Sequence, residues 1–403
     1  MGIWRRTLSI RRYTPPCDGS WQTRASASGH LRCCRMSLLR SKTLSLWLLV
    51  GGLLGMAVTL QSQIRRDGVF DDYNDLRGDN PTGTLQWGMG GVRAAMESLS
   101  GSLMFAPAGM AWSTPPFISG EFDIRTYYPR GNNNLAAESQ TLFVPRWIGT
   151  MFAYKSWRFG LGYGVPYGHR RVYQISGAEY EFTLAENRIV APVAVRIGNQ
   201  WAAGVTLGLS FVSWKERLDG SETGNSANGL GFASAIHVQW RPRADLTFGI
   251  EAEPPVTISG DAKFNSVTFP NEEWKRPLGL RAGVQKQWSG FRAAGDLYFN
   301  QYSALDNWMV DRGLMSHDQW GAAAGIEISY AGAKWRLGGQ AETDPVYNGE
   351  VLAVMISAGS GWSLGGVDVN AALVDSHLSS DSSQRATRFL FGVEILTPAS
   401  AED

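Results

Sequence analysis

The pentapeptide GWSLG, Gly361 to Gly365, meets the G-x-S-x-G pattern of a serine hydrolase, and Asp375 and His377 follow it in the chain order of an α/β-hydrolase triad. That chemistry requires Ser363 on a strained strand-to-helix turn with the histidine within hydrogen-bond reach. A second strand pattern follows instead, with Asp368 and Asn370 alternating with Val367 and Val369, which predicts a hairpin turn at Ser363. Asp375 and His377 then lie some twelve residues away, about 40 Å at the rise of a strand, and out of reach. FGLGYGVPYG, Phe159 to Gly168, invites a second reading, as a phosphate-cradling loop. A dinucleotide fingerprint needs G-x-G-x-x-G between a strand and a helix; counted from Gly162 the sixth position is Tyr167, and a polar stretch follows.

Other chemistries are equally poorly supplied. The histidines, His30, His169, His237, His317 and His377, include no pair at metal-ligand spacing. All three cysteines, Cys17, Cys33 and Cys34, precede Met36, so the rest of the chain has no thiol for a disulfide, a nucleophile or a zinc site. The expectation is a protein that is not an enzyme and holds no cofactor or metal.

What the residues do support is a wall. After residue 116 apolar residues recur with a period of two. Trp201, Ala203, Val205, Leu207, Leu209 and Phe211 share one face, and Ala202, Gly204, Thr206, Gly208 and Ser210 the other. Leu278, Leu280, Ala282 and Val284 oppose Gly279, Arg281, Gly283 and Gln285 in the same way. Trp320, Ala322, Ala324, Ile326, Ile328 and Tyr330 oppose Gly321, Ala323, Gly325, Glu327 and Ser329. An apolar outer face over a small or polar inner one is the signature of a transmembrane β-strand. The glycines of FGLGYGVPYG fit it: Trp157, Phe159, Leu161, Tyr163 and Val165 form one face and Arg158, Gly160, Gly162 and Gly164 the other.

About fourteen such segments occur between residues 116 and 396, which predicts an all-β, antiparallel transmembrane barrel of the even-numbered bacterial outer-membrane kind. Tight connections (Lys155-Ser156, Asn199-Gln200, Arg241 to Asp245, Ser289-Gly290, Gly332, Gly361) alternate with longer polar ones (129–139, 166–188, 216–228, 259–276, 303–317, 342–350, 377–383). Trp157, Trp201, Trp288, Trp335 and Trp362 sit beside the tight turns, where a periplasmic aromatic girdle belongs. The competing fold, a soluble sandwich or propeller, has shorter strands and polar outer faces.

The remaining segments have separate readings. Residues 1–35 are basic and unpatterned, as expected of an extension upstream of a true start at Met36. Residues 36–62 carry Arg40 and Lys42, an apolar run and then polar residues, the pattern of a signal peptide, with a membrane anchor as the alternative. Without residues 1–62 the chain has 28 Lys and Arg against 35 Asp and Glu, a net of −7, which does not favour nucleic acid as a partner. Residues 63–115 lack alternation and would form a plug, and residues 397–403 a tail.

Charges on lipid-facing positions cost a few kcal/mol each near the bilayer midplane, so those that alternate with apolar residues must face the lumen. They are Glu121, Asp123, Arg125, Arg158, Arg196, Glu251, Arg281, Arg292, Asp296, Arg336, Asp368, Arg388 and Glu394. A cross-barrel salt-bridge network is one reading of them. Steering of an anionic head group by the arginines is the other.

The chain resembles the FadL-like family of outer-membrane transporters for long-chain fatty acids and other hydrophobic compounds. GMGGVRAAMESLSGSLMFAPAGMAW is similar to that family's N-terminal hatch, with Gly88, Gly90 and Gly91 followed by Ala106, Pro107, Ala108 and Gly109, where Ala106 stands in place of an asparagine. VPRWIGTMFAYKSWRFGLGYGVPYG resembles its second and third strands, AVRIGNQWAAGVTLGLSF its fourth-to-fifth hairpin, and WRLGGQAETDPVYNGE its eleventh strand. The resemblance implies passive uptake of hydrophobic small molecules through the lumen and sideways into the membrane lipid. It places the lateral opening at a kinked third strand, here Gly160, Gly162, Gly164 and Pro166. It also implies the outer-membrane assembly machinery as a partner. A scaffold or secretion-accessory barrel that binds partner proteins through its loops is the alternative.

Overall fold

The computed structural model describes residues 83–97, 103–113, 117–127, 136–137, 140–175, 178–264, 267–304, 317–343, 352–377 and 386–396. The extension 1–35, the signal segment 36–62 and the tail 397–403 lie outside them. Fourteen wall strands follow one another around a closed antiparallel barrel. They are β1 Phe117–Tyr127, β2 Gln140–Tyr154, β3 Trp157–Ile175, β4 Ala178–Ile197, β5 Trp201–Leu218 and β6 Ser221–Arg243. Then come β7, in two pieces, Leu246–Glu253 and Val256–Phe264, and β8, Val267–Arg276 and Gly279–Trp288. The wall continues with β9 Phe291–Asn300, β10 Gln319–Tyr330, β11 Ala333–Thr343, β12 Leu352–Leu364, β13 Val367–Asp375 and β14 Ala386–Leu396. The breaks in β7 and β8 fall at Pro254-Pro255 and Pro277, which cannot donate to a ladder. β1 closes the sheet on β14, with Phe117 opposite Leu396 and Tyr127 opposite Ala386.

The period-two pattern becomes an outside and an inside. Leu207, Leu209 and Phe211 are exposed on the outer surface, whereas Ala202, Thr206, Gly208 and Ser210 are buried in the lumen. Every tryptophan expected in the girdle is exposed beside a tight turn, and Trp201, Trp240 and Phe248 stack along it with centroids 5.7 and 5.5 Å apart. Tyr163 donates its hydroxyl to Asn187 Oδ1 (2.6 Å) on the outer face of β3 and β4, a polar pair that marks the upper end of the apolar belt there.

Two expectations about connections are corrected. The turn expected at Gly361 lies at Gly365-Gly366, whose φ angles of 58° and 91° suit glycine in a two-residue hairpin. Ser363 is therefore within β12, paired with Asp368, while Asp375 pairs with Ile356 at the other end of the hairpin. Asp375 Oδ2 accepts from Thr387 Oγ1 (2.8 Å) and contacts His377 Nδ1 (2.9 Å), a rim cluster remote from Ser363. Second, the loops expected at 166–188, 216–228 and 259–276 are hairpin extensions of the wall, whose ladders run on to Ile175 opposite Ala178, Leu218 opposite Ser221 and Phe264 opposite Val267. Arg170, Arg171, Glu179 and Glu181 show why they read as loops: past the membrane no lipid demands an apolar face, and strands there lose their alternation. Most of the other long connections lie outside the described residues.

The orientation of β5 generates a direct test. Leu207→Arg, on the lipid face midway between Trp201 and the Tyr163–Asn187 level, is expected to destabilise the barrel by about 2–4 kcal/mol, and Leu207→Ala by less. Unfolding titrations in lipid vesicles read both.

Candidate functional site

The lumen is occupied by the chain's own N-terminal region. A short helix, α1 Thr84–Gly88, packs Trp87 against Ala372, Val374 and Leu390, and a 3-10 helix, Pro107–Trp112, packs Ala108, Met110 and Ala111 against Met151, Ala194 and Ala202. Between them Met89, Val92 and Met96 meet Ala294 and Ala323. Small inward residues of the wall admit these contacts. A Cβ on Gly249 would strike the backbone of Ala94, and one on Gly338 the backbone of Met89 and Gly90.

The plug's backbone is held by polar side chains of the wall. Thr84 N donates to Glu121 Oε1 (3.1 Å) and Gly90 N to Ser357 Oγ (2.9 Å). Arg93 N and Ala94 N both donate to Asp296 Oδ2, at 2.6 and 3.1 Å. Gly91 O accepts from Arg281 Nη1 (3.0 Å), and Gln239 Nε2 donates to Ala94 O and Met96 O. Buried His237 clamps both halves: its Nδ1 accepts from Ala108 N (3.1 Å), which leaves the proton on Nε2 to be donated to Ala94 O (2.7 Å). Ala106, the N-cap of the 3-10 helix, has no side-chain oxygen to accept from the first turn, and the wall histidine takes that part. Of the other hatch residues, Gly88 packs on Gly359, Gly90 and Gly91 turn the chain at φ of 78° and 84°, Pro107 opens the helix, and Gly109 O accepts from Ser113 Oγ.

The lumen charges form ion pairs. Arg93 of the plug reaches Glu251 (Nε to Oε2, 2.9 Å) and Glu253 (2.8 Å). Arg276 lies 3.3 Å from Glu186 and 4.0 Å from Glu253, Arg188 pairs with Glu186 at 2.6 Å, and Arg281 with Asp296 at 3.1 Å. Arg93, Arg188 and Arg276 thus share Glu186, Glu251 and Glu253 in one network, with the Phe105 ring within reach of the guanidinium groups of Arg93 and Arg188, while the Arg281–Asp296 pair meets the plug's middle turn. Asp123 gathers Arg125 (2.9 Å), Arg388 (2.7 Å) and Arg146 (3.5 Å), and Glu327 gathers Arg292 (2.8 Å) and Arg336 (2.7 Å). Glu394 is buried, opposite Asp368 in the β13–β14 ladder. Arg158 and Arg196 stand apart, at the tight-turn end.

The wall changes character at β2 and β3. Their ladder runs from Tyr154 opposite Trp157 to Trp147 opposite Gly164. Beyond it, among the described residues, β2 pairs with β1 and β3 with β4, until the short strand Ala136–Ala137 meets Gln174 and Tyr173. A bulge opposite Glu121 turns both Arg146 and Trp147 into the barrel. The Trp147 ring lies where Cβ atoms on Gly149 and Gly162 would be, and its Nε1 donates to Ser119 Oγ (2.9 Å). Gly164 makes room for Met104, and Gly160 for Leu103 and Pro192. Register also slips on the β4 side of Val165 and Pro166, and Arg146 Nη1 donates to both of their carbonyls, at 3.4 and 3.5 Å. Val165, expected on the outer face, is buried as a result of this slip.

Fold and site together define a plugged transmembrane β-barrel. No protein-family model matches the sequence, and no curated protein matches it. Solved structures do. The toluene transporter TbuX of Ralstonia pickettii superposes with a TM-score of 0.62 at 13% identity, over 79% of this chain and 100% of that one. The P. putida toluene transporter TodX gives 0.60 at 11%, over 80% and 100%, and a Pseudomonas aeruginosa FadL homologue 0.57 at 11%, over 78% and 97%. This chain therefore shares the fold of those barrels, the fold that the resemblance in its sequence motifs implies.

Asp296 is the acceptor on which the plug's central turn depends. Asp296→Ala is expected to cost about 3–5 kcal/mol, because Arg281 and two backbone N–H groups lose their partner in a buried setting. Limited proteolysis checks this: cleavage within residues 83–113 should rise while the barrel stays intact.

Proposed function

We propose that the protein is a bacterial outer-membrane channel for passive uptake of hydrophobic compounds such as long-chain fatty acids, which leave the lumen sideways between β2 and β3. The observation that carries this is the pairing of an interrupted ladder with a lumen occupied by the plug. Below the gap, the plug and its network of ion pairs present charge and close packing, a path along which an apolar molecule would have to break buried salt bridges. At the gap, the backbone of Val165 and Pro166 is held by one side chain, Arg146, instead of a ladder. Glycine and proline on β3 weaken pairing there, and the gap begins at the level of the Tyr163–Asn187 pair, where the lumen wall meets lipid.

Gly162 and Gly164 also accommodate Trp147 and Met104, so the same glycines seat the contents of the barrel. These roles are compatible: a side chain lying in a glycine slot can move, and a ladder cannot without breaking hydrogen bonds. The hydrophobic cargo of the FadL-type relatives agrees with this reading, with membrane lipid as the destination and the outer-membrane assembly machinery as the route by which the barrel reaches its place.

The chain after Met36 has no cysteine, so a pair introduced at Arg146 and Val165 has no competing thiol. With that disulfide formed, uptake of a radiolabelled long-chain fatty acid or of toluene by cells carrying the protein should fall at least tenfold and return on reduction. Unchanged uptake under oxidation would rule out the β2–β3 exit. Absence of uptake by the unmodified protein would leave the partner-binding scaffold as the better reading.

A further inference from the structure

We propose that Arg158, Arg196 and Arg241, which lie on neighbouring strands at the tight-turn end of the lumen where Trp112 contacts the last two, form a binding site for an oxyanion, a phosphate or a carboxylate. This site is independent of the uptake path, which lies at the other end of the plug.

Register places the three side chains on one inward arc. Arg158 of β3 pairs with Ala194 of β4, and Arg196 stands two residues beyond Ala194 on the same face. Arg196 in turn pairs with Ala202 of β5, which pairs with Gln239 of β6, and Arg241 stands two residues beyond Gln239. Ala194, Ala202 and Gln239 are all buried toward the lumen, so the arginines point the same way. Trp112, at the end of the plug's 3-10 helix, ties two of them together: the guanidinium carbon of Arg241 is 4.1 Å from its ring centroid and that of Arg196 is 5.0 Å.

The charge arithmetic sets this cluster apart. Arg93, Arg125, Arg188, Arg276, Arg281 and Arg388 each end on a carboxylate. Among the described residues Arg158 and Arg196 have no carboxylate partner, and Glu97 pairs with Arg241. Their hydrogen bonds go to turn carbonyls: Arg158 Nη1 to Lys155 O (2.9 Å) and Trp157 O (3.0 Å), and Arg196 Nε to Gly198 O (3.2 Å). Such bonds fix each guanidinium while leaving further N–H groups and the whole charge for a ligand, and planar forks of this kind match phosphate and carboxylate. Arg196 is exposed and Arg158 half-buried, so an anion reaches the site from the tight-turn side without moving the plug.

The test is calorimetric titration of the intact barrel in detergent at low salt, with two probes: inorganic phosphate and short-chain phosphatidylglycerol. Arg158→Gln combined with Arg196→Gln strands no carboxylate, and protease resistance of the plug verifies that the variant is folded. We expect at least a tenfold loss of affinity in this variant, weakening of the wild-type affinity by added salt, and no change in Lys215→Gln at the opposite end. Binding of both probes marks a site for free anions, and binding of the lipid alone a headgroup site; either supports the proposal. Equal affinity in the double variant, or no binding of either probe by the wild type, overturns it.

Discussion

Closure of β1 on β14 is the condition that everything else in this molecule obeys. A closed sheet in lipid has no edge to satisfy and one face that must be apolar, so charged side chains on the membrane-level strands are turned inward. The interior thereby receives Asp123, Glu251, Asp296, Arg281, Arg336 and Arg388 together, in a space too narrow to leave them all in water. Pairing is the low-energy outcome, and the plug completes it: Arg93 inserts the cation that Glu251 and Glu253 face, and backbone N–H groups of the same turn meet Asp296. The outside of the barrel thus dictates the chemistry of its inside.

The same constraint explains how much could be read from the sequence. Wherever lipid touches the wall, as from Leu207 to Phe211, alternation is strict, and fold class, strand count and girdle follow from it. Where lipid ends the pattern ends, and the extended hairpins of β3–β4, β5–β6 and β7–β8 were indistinguishable from loops although each is a paired ladder, interrupted by a register shift. The inward charges were legible one by one, but their partners were not. Glu186 and Arg188 lay in a stretch without alternation, and Glu253, Arg276 and Arg93 come from parts of the chain whose proximity only closure creates.

The site was legible as composition and illegible as geometry. FGLGYGVPYG announced a strand with an empty face, and Gly88, Gly90 and Gly91 were legible only as part of a hatch. What fills the empty face is Trp147, which simple alternation does not place there; it turns inward because Arg146 is an extra residue in the β1–β2 ladder. A bulge of this kind costs one residue of register and has no signature beyond the neighbouring Pro145. His237 gave no signal either, since a lone histidine on an inner face is commonplace, and its meaning comes from the two plug carbonyl and amide groups that sandwich it.

The way the plug is seated also fixes an order of events. Its backbone is held by Glu121 of β1, His237 of β6, Asp296 of β9 and Ser357 of β12, contacts that span 37 to 267 positions of chain. They do not exist as a set until most of the wall has been laid down, so a segment that precedes the wall in the chain is the last to find its place. Contacts of such long sequence separation are slow to form and leave apolar residues such as Trp87, Phe105 and Met110 uncovered in the meantime. The plug is therefore the part of this chain with the greatest need of an escort before the barrel shuts around it.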